Sequence, residues 1–124
     1  MRALRLESLW MAIPDRVKED AEKVLSEYCR EKIPEKYRDQ IKIKYKVWGK
    51  KYTIYESRPL FMDHDKWSEL AVVQCRYNPE TEKWSLHWAD RNSRWHPYDL
   101  LDPSPRLQTL LDEIDRDPTG IFWG

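Results

Sequence analysis

The sequence is poor in the residues that mark the commonest enzyme motifs: its 124 residues include two Cys, three Gly and three His. The glycines are scattered, so no glycine-rich phosphate-binding loop is present. No cysteine-pair metal motif and no nucleophile elbow occurs either. Because two thiols make a poor disulfide framework at this length, we expect Cys29 and Cys75 to be small buried hydrophobic residues in a reducing compartment.

Long apolar runs are absent as well. Residues 1–12 are interrupted by Arg and Glu and are too short for a signal peptide, and no later run approaches the length of a membrane span. We therefore expect a cytoplasmic protein without a membrane partner. The length predicts a single domain over residues 14–124, preceded by an N-terminal extension over residues 1–13.

Net charge is zero, which argues against a protein that finds nucleic acid by bulk attraction. The charges are nevertheless segregated. Residues 40–58 carry six Lys or Arg against one Glu, whereas residues 99–117 carry six Asp or Glu against two Arg. The sequence thus predicts a dipolar domain with one basic end.

The apolar pattern predicts an α+β fold. Helical spacing over residues 14–32 and 105–117 predicts two amphipathic helices, the second capped by Ser104 with Pro105 at its first position. Between them, alternation predicts a hairpin over residues 41–57 with its turn at Gly49-Lys50, a loop over residues 58–67, and a three-strand meander over residues 70–98. Two helices can cover one face of such a five-stranded antiparallel sheet, so we expect a two-layer sandwich whose other face is open. The apolar tail at residues 121–123 should dock on the core.

The open face is the predicted site. If the turn between the last two strands is Arg91-Asn92, Trp84, Trp88 and Trp95 share the core face and His87 lies opposite His96 on the open face. Cations with interleaved aromatic rings on a flat sheet are typical of surfaces that bind single-stranded nucleic acid, RNA above all. The sequence therefore predicts a domain that binds single-stranded nucleic acid or another anionic partner through this face. The predicted ligand-binding residues of this face are Lys42, Lys44, Lys46, Trp48, Tyr55, Gln74, Arg76, Arg94 and Tyr98.

Other interpretations remain open at this point. His87 and His96 could act as base and acid in a metal-independent ribonuclease, with Arg stabilising the phosphorane. Asp63, His64 and Asp65 could add metal ligands, although such a triplet is more typical of a turn, and we expect neither a metal nor a cofactor. Lysines on exposed strands also protect sheet edges from aggregation, and the sheet edge or the N-terminal extension could contact a protein partner. Glu56 falls on the apolar side, where Arg58 or a hydroxyl group is the expected partner of its carboxylate.

Several motifs carry a resemblance to a known family. They are Y-C-R-E-K-I-P-E-K-Y-R-D-Q-I-K-I-K-Y-K-V-W-G, E-S-R-P at residues 56–59, W-A-D-R-N-S-R-W-H-P-Y at residues 88–98, and the final D-P-T-G-I-F-W-G. Over roughly residues 14–124 the chain resembles a family of small bacterial proteins catalogued as a domain of unknown function. The resemblance implies a small stand-alone bacterial domain and brings no activity, cofactor or catalytic residue with it.

Overall fold

The computed structural model describes residues 12–124. In these residues one α-helix precedes and one follows, along the chain, a single antiparallel sheet of strand order β1-β2-β3-β4-β5. A short 3-10 helix, Glu35–Tyr37, follows the first α-helix. The predicted α+β fold is confirmed. The elements are α1 (Asp15–Lys32), β1 (Lys42–Trp48), β2 (Lys51–Pro59), β3 (Trp67–Asn78), β4 (Lys83–Ala89), β5 (Trp95–Pro97) and α2 (Leu107–Arg116). Most of the predicted extension over residues 1–13 lies outside the described residues.

The core lies between one face of the sheet and the two helices. Ala21 and Leu25 of α1 are fully buried, as the spacing of its apolar residues predicts. The helix ends where Ile33 turns to an extended conformation ahead of Pro34, because the residue before a proline disfavours the helical region. The buried residues on the sheet side of the core are Ile43, Tyr52, Ile54, Val73, Cys75, Tyr77, Trp84 and Leu86.

The C-terminal tail docks on this core as predicted. Phe122 is buried, and its ring lies 5.1 Å from that of Tyr98. The tail is held by Asp117, whose carboxylate accepts hydrogen bonds from the backbone N–H groups of Phe122 and Trp123 at 3.0 and 2.8 Å. No helix within residues 12–124 is long and apolar enough to cross a membrane.

The first hairpin has the predicted register. Gly49, at φ 61°, occupies the left-handed region that this two-residue turn requires, so Trp48 pairs with Lys51 and Tyr45 with Ile54. Glu56 falls on the apolar side opposite Ile43 and accepts a 2.6 Å hydrogen bond from Nε of Arg58, its expected partner.

The second hairpin is longer than the sequence predicts. Residues 58–67 are not all loop, because β2 continues to Pro59, which pairs with Trp67. The strands tolerate Pro59 since a proline at a strand end removes no ladder hydrogen bond that the sheet needs. One β-bulge, at Val72 between the pairs Ile54/Val73 and Tyr55/Ala71, shifts the alternation of β3 by one residue.

The predicted start of the second helix is wrong. Ser104 does not cap it; its backbone instead pairs with that of Trp84, donating one hydrogen bond and accepting another at 2.9 and 2.6 Å. The helix begins at Leu107, and Ser104 Oγ accepts from the N–H of Arg106, which lies before that start. A bridge to β4 satisfies two backbone groups, so it competes successfully with the cap that the S-P sequence predicts.

Candidate nucleic-acid interface

The uncovered face of the sheet carries a continuous set of cations and aromatic rings. On β1, the side chains of Lys42, Lys44, Lys46 and Trp48 alternate with the core residues and all are exposed. Their register partners on β2 include Lys51 and Tyr55. We call the following set the basic–aromatic face: Lys42, Lys44, Lys46, Trp48, Lys51, Tyr55, Trp67 and Arg76.

The lysines of this face are positioned by the rings beside them. Lys42 Nζ lies 4.4 Å from the ring centroid of Trp67, and Lys46 Nζ lies 4.9 Å from that of Tyr55. Lys46 also donates to Glu69 at 2.8 Å, and this hydrogen bond raises the pKa of the ammonium. The side chain of Trp48 is 84% exposed, so one indole is free to stack on a ligand. Trp67 and Glu69 escaped sequence prediction because the predicted strand began only at residue 70, whereas β3 begins at Trp67.

Polar side chains form a buried chain at the centre of the same face. Arg76 Nε donates to Gln74 Oε1 at 2.7 Å, and Gln74 Nε2 donates to Thr53 Oγ1 at 2.8 Å. On β4, Ser85 Oγ lies 2.9 Å from His87 Nε2, and His87 pairs with Gln74. Gln74 and Arg76 therefore lie on the face where the sequence predicts them, but Gln74 is buried.

His87 is held neutral in this setting. It is 9% exposed, and burial, together with the positive charges of Arg76 and Lys51, lowers its pKa to about 4. A neutral imidazole adds no positive charge to the face near pH 7.

This pKa predicts a pH-dependent stability. An unfolded histidine binds a proton near pH 6.5, whereas folded His87 binds one only near pH 4. The contribution of His87 to the free energy of unfolding is therefore complete above pH 6.5 and is lost as the pH falls towards 4, because the unfolded chain then binds a proton that the folded protein does not. In urea unfolding, the free energy of unfolding of wild type should fall by about 1–2 kcal/mol more than that of H87Q between pH 6.5 and pH 4. This is less than the whole pKa shift would give, because water screens the neighbouring charges. The exposed-loop variant H64Q should follow wild type. If the free energies of unfolding of wild type and H87Q changed in parallel with pH, this explanation would be wrong.

The predicted His87–His96 pair does not exist. His87 pairs with Pro97, and His96 pairs with Trp88, so the two imidazoles belong to opposite faces of the sheet. His96 stacks on Trp88 with ring centroids 4.6 Å apart, on the side of the helices. A shared acid–base site between these histidines is therefore wrong.

Asp90 causes this change of register. Its Oδ1 accepts hydrogen bonds from the backbone N–H groups of Asn92 and Arg94 at 2.8 and 3.0 Å, and Ser93 adopts φ 62°. The loop thus has three residues instead of two, which moves every later side chain to the other face. Asp90 Oδ2 lies 2.7 Å from His96 Nε2, and this contact, with the backbone hydrogen bonds, lowers the aspartate pKa to about 2.

Three further predicted positions are corrected by the same shift. Tyr98 is buried on the helix side, where its hydroxyl donates to Glu113 at 2.6 Å, and burial raises its pKa to about 12. Arg94 is exposed in the turn, outside β5. Trp95 leaves the core face that Trp84 and Trp88 share, since it pairs with Ala89. Neither Tyr98 nor Arg94 belongs to the basic–aromatic face.

The Asp63-His64-Asp65 triplet lies at the tip of the second hairpin. Asp63 Oδ1 accepts from the N–H of Asp65 at 3.1 Å, the geometry of a side-chain-stabilised turn. Among residues 12–124, no group of three His, Cys, Asp or Glu side chains is close enough to hold a metal ion.

A groove opens where β3 and β4 part. Their pairing ends at Val73 and Trp88, whereas β2 and β3 stay paired to Trp67. The space between β3 and the β4–β5 turn has a volume of about 620 Å³, within the range of about 300–1,000 Å³ typical of small-molecule sites. Its lining joins the basic–aromatic face to the C-terminal tail and includes Thr53, Tyr55, Glu56, Gln74, Asp90, Trp95 and Trp123.

The fold and this face define a class: small α+β domains in which the helices cover only one face of an antiparallel sheet. Residues 13–124 match the family described as "Domain of unknown function (DUF3024)", and the chain belongs to that family. No curated protein and no solved structure matches the chain.

Proposed function

We propose that this protein is a binding domain that holds single-stranded nucleic acid, in the first place RNA, on its basic–aromatic face. The observation that carries the proposal is the row of lysines on β1, interleaved with aromatic rings and ending at an indole that is 84% exposed. An indole exposed to this extent at the end of a row of lysines offers a flat aromatic surface on which a base can stack. Edge protection accounts for the lysines but not for Trp48.

The two kinds of side chain suit the two parts of a single strand. Ammonium groups neutralise phosphates and release counterions, and aromatic rings stack on bases of any sequence. The two kinds of side chain lie next to each other on the sheet, since Lys46 Nζ lies over the ring of Tyr55 and Lys42 Nζ over the ring of Trp67. Helix α1 offers the contrast, since its outer face mixes both signs of charge and presents no exposed tryptophan within residues 15–32.

Anisotropy of a labelled 12-nucleotide RNA, measured at two salt concentrations, tests the proposal. Affinity should fall as salt rises, and the RNA should stay intact across pH 5 to 8 with or without EDTA, because His87 and His96 do not share a site. Trp48→Ala should weaken binding about tenfold through loss of one stacking contact. The proposal would be refuted if the affinity were the same at both salt concentrations and the same for wild type and Trp48→Ala.

A protein-interaction module is the second candidate, and one observation favours it. The tip of the second hairpin exposes Phe61 and Met62 by 90% and 89%, and Leu70 of β3 is exposed as well. Large apolar side chains grouped at a protruding tip are typical of contacts with protein partners. Phe61→Ser and Met62→Ser should then abolish partner capture and leave RNA affinity unchanged.

A further inference from the structure

We infer that the groove between β3 and the β4–β5 turn is a base-selective pocket that accepts one unstacked uracil or thymine. The inference deepens the proposed function and rests on it where the base belongs to a longer strand. Tyr55, Thr53 and Gln74 line the groove and also belong to the uncovered face. A strand lying along the lysines can therefore turn one base into the groove without leaving the face.

The polar groups of the groove are fixed as donors. Arg76 has only N–H groups, so the oxygen of the Gln74 amide must face Arg76 and its nitrogen must face Thr53. That nitrogen gives one hydrogen to Thr53 Oγ1 and keeps a second. Thr53 Oγ1 accepts in this contact, which leaves its own hydroxyl hydrogen free to donate. Both side chains are only 6% exposed, so neither can change orientation cheaply.

A third donor without a partner lies in the same wall. Trp123 lines the groove, and its buried Nε1 finds no hydrogen-bond acceptor within residues 12–124. A buried N–H that no acceptor satisfies costs free energy. The carboxylates of the lining are already engaged: Glu56 with Arg58 and Asp90 with His96. The groove thus presents free donors and calls for a ligand rich in acceptors.

Uracil and thymine fit this donor pattern. On the Watson–Crick edge each presents two carbonyl oxygens, whereas adenine, cytosine and guanine each present an amino group on that edge. Tyr55 and Trp95 supply ring surfaces at the groove. Stacking alone would favour the larger purine ring of adenine. A measured preference for uracil would therefore come from the hydrogen bonds of Gln74 and Thr53 and not from stacking.

Two measurements test the pocket separately from the basic–aromatic face. In the first, uridine 5′-monophosphate should shift the indole N–H resonances of Trp95 and Trp123 in a saturable way, with adenosine 5′-monophosphate at least about tenfold weaker. In the second, oligo-U should bind more tightly than oligo-A of equal length and charge. Gln74→Met should remove the preference for uridine in both measurements, while the basic–aromatic-face variant K42Q/K44Q/K46Q should weaken both oligomers equally.

The outcomes separate the two claims. If the monophosphate shifts the indoles but neither oligomer binds, the proposed function is wrong and the pocket stands as a small-ligand site. If oligomers bind without preference and uridine and adenosine monophosphates behave alike, the pocket is wrong and the face stands. Retention of the uridine preference by a folded Gln74→Met protein would also overturn the assignment.

Discussion

Replacing Lys42, Lys44 and Lys46 together by glutamine is expected to lower the affinity for single-stranded RNA about 10- to 100-fold near 100 mM salt. Each lysine that leaves a phosphate reduces the number of counterions released, so the slope of log K against log salt should also fall by about 2. Glutamine keeps most of the aliphatic stem over Tyr55 and Trp67, so the fold should persist. Fluorescence anisotropy over a salt series measures both quantities.

A matched variant controls for total charge. Lys18, Lys23 and Arg30 are exposed on α1, on the helix side of the molecule, and K18Q/K23Q/R30Q removes the same charge as the triple variant of β1. It should retain affinity within about twofold, since long-range attraction between exposed charges is screened beyond about 10 Å at this salt concentration. Equal losses in the two variants would mean that RNA responds to overall charge and not to the basic–aromatic face.

Tyr98→Phe is expected to lower the free energy of unfolding by about 1.5–3 kcal/mol. The hydroxyl donates to the buried carboxyl group of Glu113 at 2.6 Å, and its removal leaves that group without its best donor. Arg116 approaches the same carboxyl group only to 3.4 Å and is itself exposed, so it compensates in part. Urea unfolding followed by fluorescence gives the value.

Tyr55→Phe is the matched control, because Tyr55 lies on the uncovered face and its hydroxyl makes no hydrogen bond within residues 12–124. Its effect on stability should stay within about 0.5 kcal/mol. The pair also tests the register: if Tyr98 lay on the open face, the two substitutions would have similarly small effects.

The predictable part of the fold depends on short-range signals. The glycine of Gly49-Lys50 fixes a two-residue turn, and alternation on both sides then determines which side of β1 carries the lysines. The pair Tyr77/Trp84 follows in the same way from the turn after Asn78. Where residue type and turn length agree, the side of the sheet can be derived without coordinates.

The errors arise where one side chain changes the length of a turn or strand. Asp90 accepts two backbone hydrogen bonds and so stabilises a third loop residue, which separates His87 from His96. Nothing in the residue types around Val72 signals a bulge, because its neighbours are as apolar as itself. The groove depends on both features, since it opens where β3 leaves β4 and meets the displaced Trp95, and for that reason no sequence pattern points to it.

Mapping of amide and indole chemical shifts during titration with an 8-nucleotide oligo-U is the most direct test of the basic–aromatic face. We expect the largest shifts at the Trp48 indole and along β1 and β2 from Lys42 to Tyr55, with smaller shifts near Gln74 and none on the outer surface of α1. Shifts confined to α1 or to the tip at Phe61 and Met62, or no shifts up to millimolar RNA, would contradict the claim that this face binds nucleic acid.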